Sequence, residues 1–253
     1  MAVILNIETS NTACSVALTA EGMVLHHLEN MHGRNHAVTL SDFIKSMLDF
    51  ARDKEIRLDA VSVSLGPGSY TGLRIGLSEA KGLAYGMDIP LIGIQTLELM
   101  ATRVMFSTDA IDPDTVFVPM IDARRMEVYT AAYDFGLTPL IEPRALILDE
   151  SGNPYHELIE TGRPILFFGN GMPKWKEYFL NGITDAVKER PDGGLTFNNV
   201  TFVEGVEPLA VDMIALAERA YTNRQFIDVA YSVPTYLKDF QATTPRNPIV
   251  PTT

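Results

Sequence analysis

With 253 residues, 46% of them hydrophobic and 21% charged, the chain can bury a full core as one large domain or two smaller lobes. Cys14 is its only cysteine, which excludes an internal disulfide and fits a reducing compartment. A formal net charge of −12, with basic residues scattered apart from the pair Arg124-Arg125, argues against a chain that holds nucleic acid alone, because a field of that sign repels phosphate backbones.

Residues 2–8 read as a buried strand, and residues 13–19 and 23–29 as two more, turning at Glu21-Gly22. Their short connections predict an antiparallel meander. The start, Met1 to Asn6, has no basic region and turns polar early, so no signal peptide is expected. No apolar run approaches the roughly 20 residues of a membrane span, and the chain reads as cytoplasmic with no membrane partner. A helix is expected over 36–52, where Leu40, Phe43, Ile44, Met47, Leu48 and Ala51 follow the i, i+3, i+4, i+7 spacing of one face, with Asn35 as its N-cap. A strand at 60–65 then runs into the compact loop Gly66-Pro67-Gly68-Ser69-Tyr70-Thr71-Gly72 and a helix over 72–86. A strand at 90–94 and a helix at 96–106 complete an α/β layer with a mixed sheet.

Asp112-Pro113-Asp114 opens a second region. Strands are expected at 116–121 and 126–133, joined by the turn Asp122-Ala123-Arg124-Arg125. After Phe135 the pattern weakens to a strand running into a Gly turn at 165–171 and a helix at 208–222. The Pro/Thr-rich tail from Ala242 reads as loose, and no solenoid-like repeat is visible.

A strand that ends in a Gly-rich loop at a helix start is the usual setting for an anion, because free N–H groups and the helix dipole point there. Here Leu73-Arg74 follow the last glycine where a P-loop needs Lys and Ser/Thr, and the glycines at 66, 68 and 72 miss the dinucleotide spacing. Gly66, Gly68, Ser69, Arg124 and Arg125 are the candidate anion-binding residues; the arginine pair reads equally as an anion clamp or a solvated turn. Glu8-Thr9-Ser10-Asn11-Thr12 is either a phosphate-side loop or an ordinary polar turn. Gly72, Gly76, Ala80 and Ala84 form a stripe of small residues, which points to a close backbone neighbour, either the chain's own sheet or a partner helix. His32 and His36 have ligand spacing but no third ligand, so no metal site is assigned. No nucleophile–base pair stands out, and Cys14 reads as an inert buried thiol.

Ile7-Glu8-Thr9-Ser10, the stretch Ser15-Val16-Ala17-Leu18, Arg34-Asn35-His36, the loop Gly66 to Gly76 and Asp122-Ala123-Arg124-Arg125 with Glu127-Val128-Tyr129 together resemble the TsaB (YeaZ) family. Tyr70 stands where that family often has Phe, and Met126 where it usually has Gly; the resemblance is strong over 1–135 and diffuse beyond. It implies an actin-like, Hsp70-like ATPase fold of the ribonuclease H-like type, with a lobe at 1–108, a reduced second lobe at 109–240 and a loose tail at 241–253. It also implies a non-catalytic partner of a TsaD catalytic subunit, joined by the TsaE ATPase, in forming threonylcarbamoyladenosine on tRNA. TsaD-like proteins carry paired metal histidines in the stretch corresponding to Gln95–Ala101, which has none here. The resemblance puts the TsaD contact on the helices at 36–52 and 72–86, through His36, Leu40, Phe43, Ile44, Met47, Leu48, Gly72, Arg74, Gly76, Glu79, Ala80 and Leu83. It implies no cofactor beyond a nucleotide at the joint with partners; the acidic charge predicts no tRNA binding by this chain alone, and an apolar face built to bury against a relative can bury against itself, which predicts a homodimer through the same helices in isolation. The alternative is an ATP-dependent small-molecule kinase of the same fold, with Asp122 as its base, or a metallopeptidase.

Overall fold

The computed structural model describes residues 2–32, 35–107, 111–149, 153–188 and 199–238, with side chains only to residue 180 in the fourth segment. The expected tail at 241–253 and the Arg34 part of the helix entry lie outside them. β1 (Val3–Glu8) pairs antiparallel with β2 (Cys14–Ala20), and β2 with β3 (Met23–Asn30). After α1 (His36–Asp53), β4 (Ala60–Gly66) returns parallel to β1; after α2 (Tyr70–Met87), β5 (Leu91–Gln95) lies parallel to β4. The sheet order is β3-β2-β1-β4-β5, the mixed sheet that the element order predicts. Alternation along β1 sorts the core: Leu5 and Ile7 face α1 and α2, while Ile4 faces the opposite layer.

α3 (Thr96–Met105) leads to the second sheet, built from β6 (Val116–Asp122), β7 (Glu127–Tyr133) and β8 (Pro139–Ile147), then α4 (His156–Glu160), β9 (Ile165–Phe168), α5 (Met172–Lys188) and β10 (Val200–Val203). Its order, β8-β7-β6-β9-β10, repeats that of the first sheet, with the same antiparallel and parallel pairings. The two lobes are thus one topology used twice, the α/β architecture expected of the actin-like ATPase fold. The reduction is concentrated in α4, which has 5 residues where α1 has 18. Leu97, Met100 and Val104 of α3 share a buried cluster with Phe117, Ile121 and Phe168, so α3 joins the lobes through an apolar seam.

Four elements were not legible beforehand: β8, α4, α5 and β10. β8 is an edge strand carrying Pro139 and Pro143, residues that an edge tolerates better than a central strand because only one side of it is paired. The expected helix at 208–222 divides into a 3-10 turn, Ala210–Met213, and α6 (Ile214–Thr222). The expected extent of the second lobe, 109–240, is corrected. Met213, Leu216, Ala217 and Ala220 pack on Ile4, Ala60 and Ile92 of the first sheet, and Ile227 and Val229 against its other face, so β10 is the last strand of the second lobe. Asn35 does not cap α1 through its side chain: it sits in the left-handed region, φ 63°, and makes no side-chain cap hydrogen bond. Among the described residues no helix is long and apolar enough to cross a membrane.

Candidate functional site

The duplicated topology brings four loops to one place. The β1–β2 turn and the β4–α2 loop of the first lobe face the β6–β7 turn and the β9–α5 turn of the second across a cleft of about 680 Å³. Asn11, Gly68, Ser69, Arg124, Arg125 and Asn170 line it, with Tyr70, Tyr129 and Tyr236 as its aromatic walls.

The Gly loop is filled from within. The Ser69 N–H donates to the Ser10 carbonyl at 2.6 Å, the Ser69 hydroxyl caps the Gly72 N–H at 3.2 Å, and the Leu73 N–H donates to the Ser69 carbonyl at 2.9 Å. A Cβ on Gly68 would lie 2.2 Å from the Ser10 carbonyl oxygen, and one on Gly72 2.1 Å from the Thr9 carbonyl. These glycines admit the chain's own first turn, and Ser69 keeps no N–H for an anion. The anion expectation for Gly66, Gly68 and Ser69 is therefore corrected. Gly66, with φ +112°, is hemmed in by the Thr235 carbonyl and Leu73.

Beneath it lies Glu8, fully buried, whose carboxylate accepts the Ser10 N–H. Burial drives its pKa up to about 7, partly opposed by the Ser10 hydroxyl and N–H and by the Ser64 hydroxyl. Its second oxygen and the Ser10 and Ser64 hydroxyls lack partners of good hydrogen-bond geometry.

Arg124 and Arg125 stand on the cleft wall, both in the left-handed region at φ 63° and 51°. Each costs a non-Gly residue about 1–3 kcal/mol. Asp122 holds the turn: its carboxylate accepts the Arg124 N–H at 2.6 Å and Lys174 Nζ at 2.5 Å, and Lys174 also donates to the Arg125 carbonyl at 2.6 Å. Occupied by Lys174 and by its own turn, Asp122 is placed as a structural anchor, not as a free base.

The partner set divides by face. Leu40, Ile44, Met47, Gly72, Gly76 and Ala80 are buried in the chain's own core, and a Cβ on Gly76 would lie 2.3 Å from Thr9 Oγ1. As partner contacts they are corrected: the small-residue stripe of α2 serves the chain's own first turn and sheet. His36, Phe43, Leu48, Glu79 and Leu83 remain half-buried and Arg74 exposed. Arg74 lies 4.0 Å from the centre of the Tyr70 ring and donates to the Tyr236 hydroxyl at 3.0 Å, while Glu79 accepts from Ser41 at 3.1 Å and ties α2 to α1. His36 lines the cleft with a buried, unpartnered Nδ1, and burial lowers its pKa. Among the described residues no three His, Cys, Asp or Glu side chains converge on a metal position.

Sequence reasoning missed Asn170 and Lys238 as cleft residues and Lys174 as the side chain that holds Asp122. Asn170 donates to Asn11 Oδ1 at 2.6 Å and accepts the Asp122 N–H at 2.8 Å; Lys238 pairs with Glu127. Only the Gly169-Asn170-Gly171 turn was visible, without its partner 159 residues away.

A family model described as "TsaD: tRNA N6-adenosine threonylcarbamoyltransferase" matches residues 30–245. The chain is 30% identical over 239 residues to the tRNA threonylcarbamoyladenosine biosynthesis protein TsaB of Escherichia coli (strain K12), covering 93% of this chain and 94% of that one. It is 34% identical over 176 residues to TsaB of Bacillus subtilis (strain 168), covering 69% and 73% respectively. A solved Pseudomonas aeruginosa structure, described as similar to peptidase YeaZ, superposes with a TM-score of 0.72 at 25% identity, over 94% of this chain and 100% of that one. With matches that span most of the chain and of its relatives alike, the chain belongs to the TsaB (YeaZ) family.

Proposed function

We propose that this chain is the non-catalytic partner and activator of a TsaD-like subunit in forming the threonylcarbamoyl group on adenosine 37 of tRNAs, with a TsaE-like ATPase joining them. The observation that carries the non-catalytic half is the β6–β7 turn: where an ATP-using member of the fold needs a Gly-rich phosphate hairpin, this chain has Asp122-Ala123-Arg124-Arg125, with the Asp122 carboxylate taken up by the Arg124 N–H at 2.6 Å and by Lys174 at 2.5 Å. Nucleotide is then left to the joint with partner subunits, and tRNA, given the charge of −12, to other chains. The names of the relatives support the pathway. The exposed side of α1 and α2, with Phe43, Leu48 and Leu83 half-buried, supports a helical docking face that closes on a second copy when the partner is absent.

Reconstitution tests this. Purified TsaD-like and TsaE-like subunits with the carbamoyl-adenylate synthase should modify tRNA only when this chain is added. Leu83→Glu should abolish co-elution with the TsaD-like subunit while leaving a folded monomer; unchanged co-elution overturns the docking face. Micromolar ATP binding to the isolated chain in titration calorimetry would overturn the non-catalytic reading.

A further inference from the structure

Two sets of side-chain bonds cross the cleft, at different places and from different parts of the chain. At its inner end Asn11 of the first lobe meets Asn170 of the second at 2.6 Å. Each amide makes a second bond there: Asn11 Nδ2 donates to Glu207 Oε2 at 2.7 Å, and Asn170 Oδ1 accepts the Asp122 N–H at 2.8 Å. Lys174 secures Asp122 in turn, so the second-lobe side of the bridge cannot swing away without breaking the β6–β7 turn.

The other crossing is made by the segment after α6. It is fastened to the first lobe along its length: Ile227 N to the Leu91 carbonyl at 2.8 Å, Lys81 Nζ to the Ala230 carbonyl at 3.0 Å, and Thr235 N to the Leu65 carbonyl at 2.7 Å. Tyr236 then stacks near Tyr70, 5.3 Å between ring centres, and Lys238 reaches over the cleft to Glu127 at the start of β7. That ion pair is partly shielded, with side-chain exposures of 24% and 15%.

In folds of two lobes around a cleft, a bound ligand ordinarily supplies the contacts that set the closure angle. We propose that here the chain supplies them itself: the Asn11–Asn170 bridge and the Lys238–Glu127 bridge form a two-point latch that holds the lobes at one angle about the α3 seam. The cleft then keeps its width whether or not a small molecule is present, and the chain presents α1 and α2 as part of a rigid block.

The test uses the full chain with Thr222→Cys on the first lobe and Glu142→Cys on the second, both exposed, carrying spin labels and diluted with unlabelled chain. Cys14, 2% exposed with a pKa that burial raises to about 11, stays unlabelled. Double electron–electron resonance should give one narrow distance, unchanged by magnesium and ADP. Asn170→Ala with Lys238→Ala should widen the distribution about two-fold as the α3 seam becomes a free hinge, with far-UV dichroism unaltered. A parent distribution already broad, one that shifts with ADP, or a double variant as narrow as the parent overturns the latch. Should the double variant lose its fold, each single variant is measured, and parental width in both has the same consequence.

Discussion

Glu8 is a fully buried carboxyl whose chemistry departs far from its solution value. The folded chain raises its pKa from 4.5 to about 7 by burial, so the folded state binds the proton more tightly than the unfolded state. Its contribution to stability is complete below about pH 4.5 and is lost as pH rises through about 7. The loss is on the order of 3 kcal/mol, and it is flat above that range. Glu8→Gln supplies a neutral group with a donor facing the Ser10 and Ser64 hydroxyls, so above about pH 7.5 it should melt higher than the parent, and its melting temperature should lose the downward slope between about pH 5 and 7. A parent whose stability rises over that window would contradict the buried, proton-binding carboxyl. Two glycines give a sharper contrast. Gly68→Ala drives a methyl into the Ser10 backbone and should cost about 2–4 kcal/mol in urea unfolding. Gly82→Ala, where nothing lies within 4 Å of the new Cβ, should gain about 0.5–1 kcal/mol from helix propensity alone.

α2 is the element on which reading by pattern and reading by structure diverge. The spacing of Gly72, Gly76, Ala80 and Ala84 located a face of close approach, and the face exists. What it approaches is Thr9 and the sheet of the same chain, because the β1–β2 turn folds back over the start of α2. Gly76→Leu is therefore expected to lose cooperative unfolding altogether, as a four-carbon side chain cannot enter a space 2.3 Å from Thr9 Oγ1. A folded, monomeric Gly76→Leu chain would return that face to a partner. α1 divides in the same way, with Leu40 and Met47 fully buried beside Phe43 and Leu48 only half so. A periodic apolar stripe wider than the sheet can cover leaves a flank, and that flank is where docking is proposed.

For the whole molecule, the lobes share α3 and the chain returns from the second lobe to the first through α6, so they should unfold as one. Trp175, the single tryptophan, is fully buried in the second lobe beside Tyr155 and Phe167, and Cys14 is buried in the first. Trp175 emission and Cys14 thiol exposure should therefore report the same denaturant midpoint; two separated midpoints would mean that the α3 seam does not couple the lobes.

Residue order alone sufficed for the local matter: the meander and alternating layers of the first lobe, the helix faces, and the family motifs at Glu8, Gly66–Gly76 and Asp122–Arg125. Those are set by period, turn chemistry and residue type within a few neighbours. It took the folded chain to reveal that the two sheets repeat one topology, that the glycine stripe faces inward, that the Gly loop is filled by Ser10, and that Asn11 meets Asn170 and Lys238 meets Glu127. Each of these joins residues far apart along the chain, and which partner fills a space is settled by how the layers close on one another, a quantity no local pattern carries.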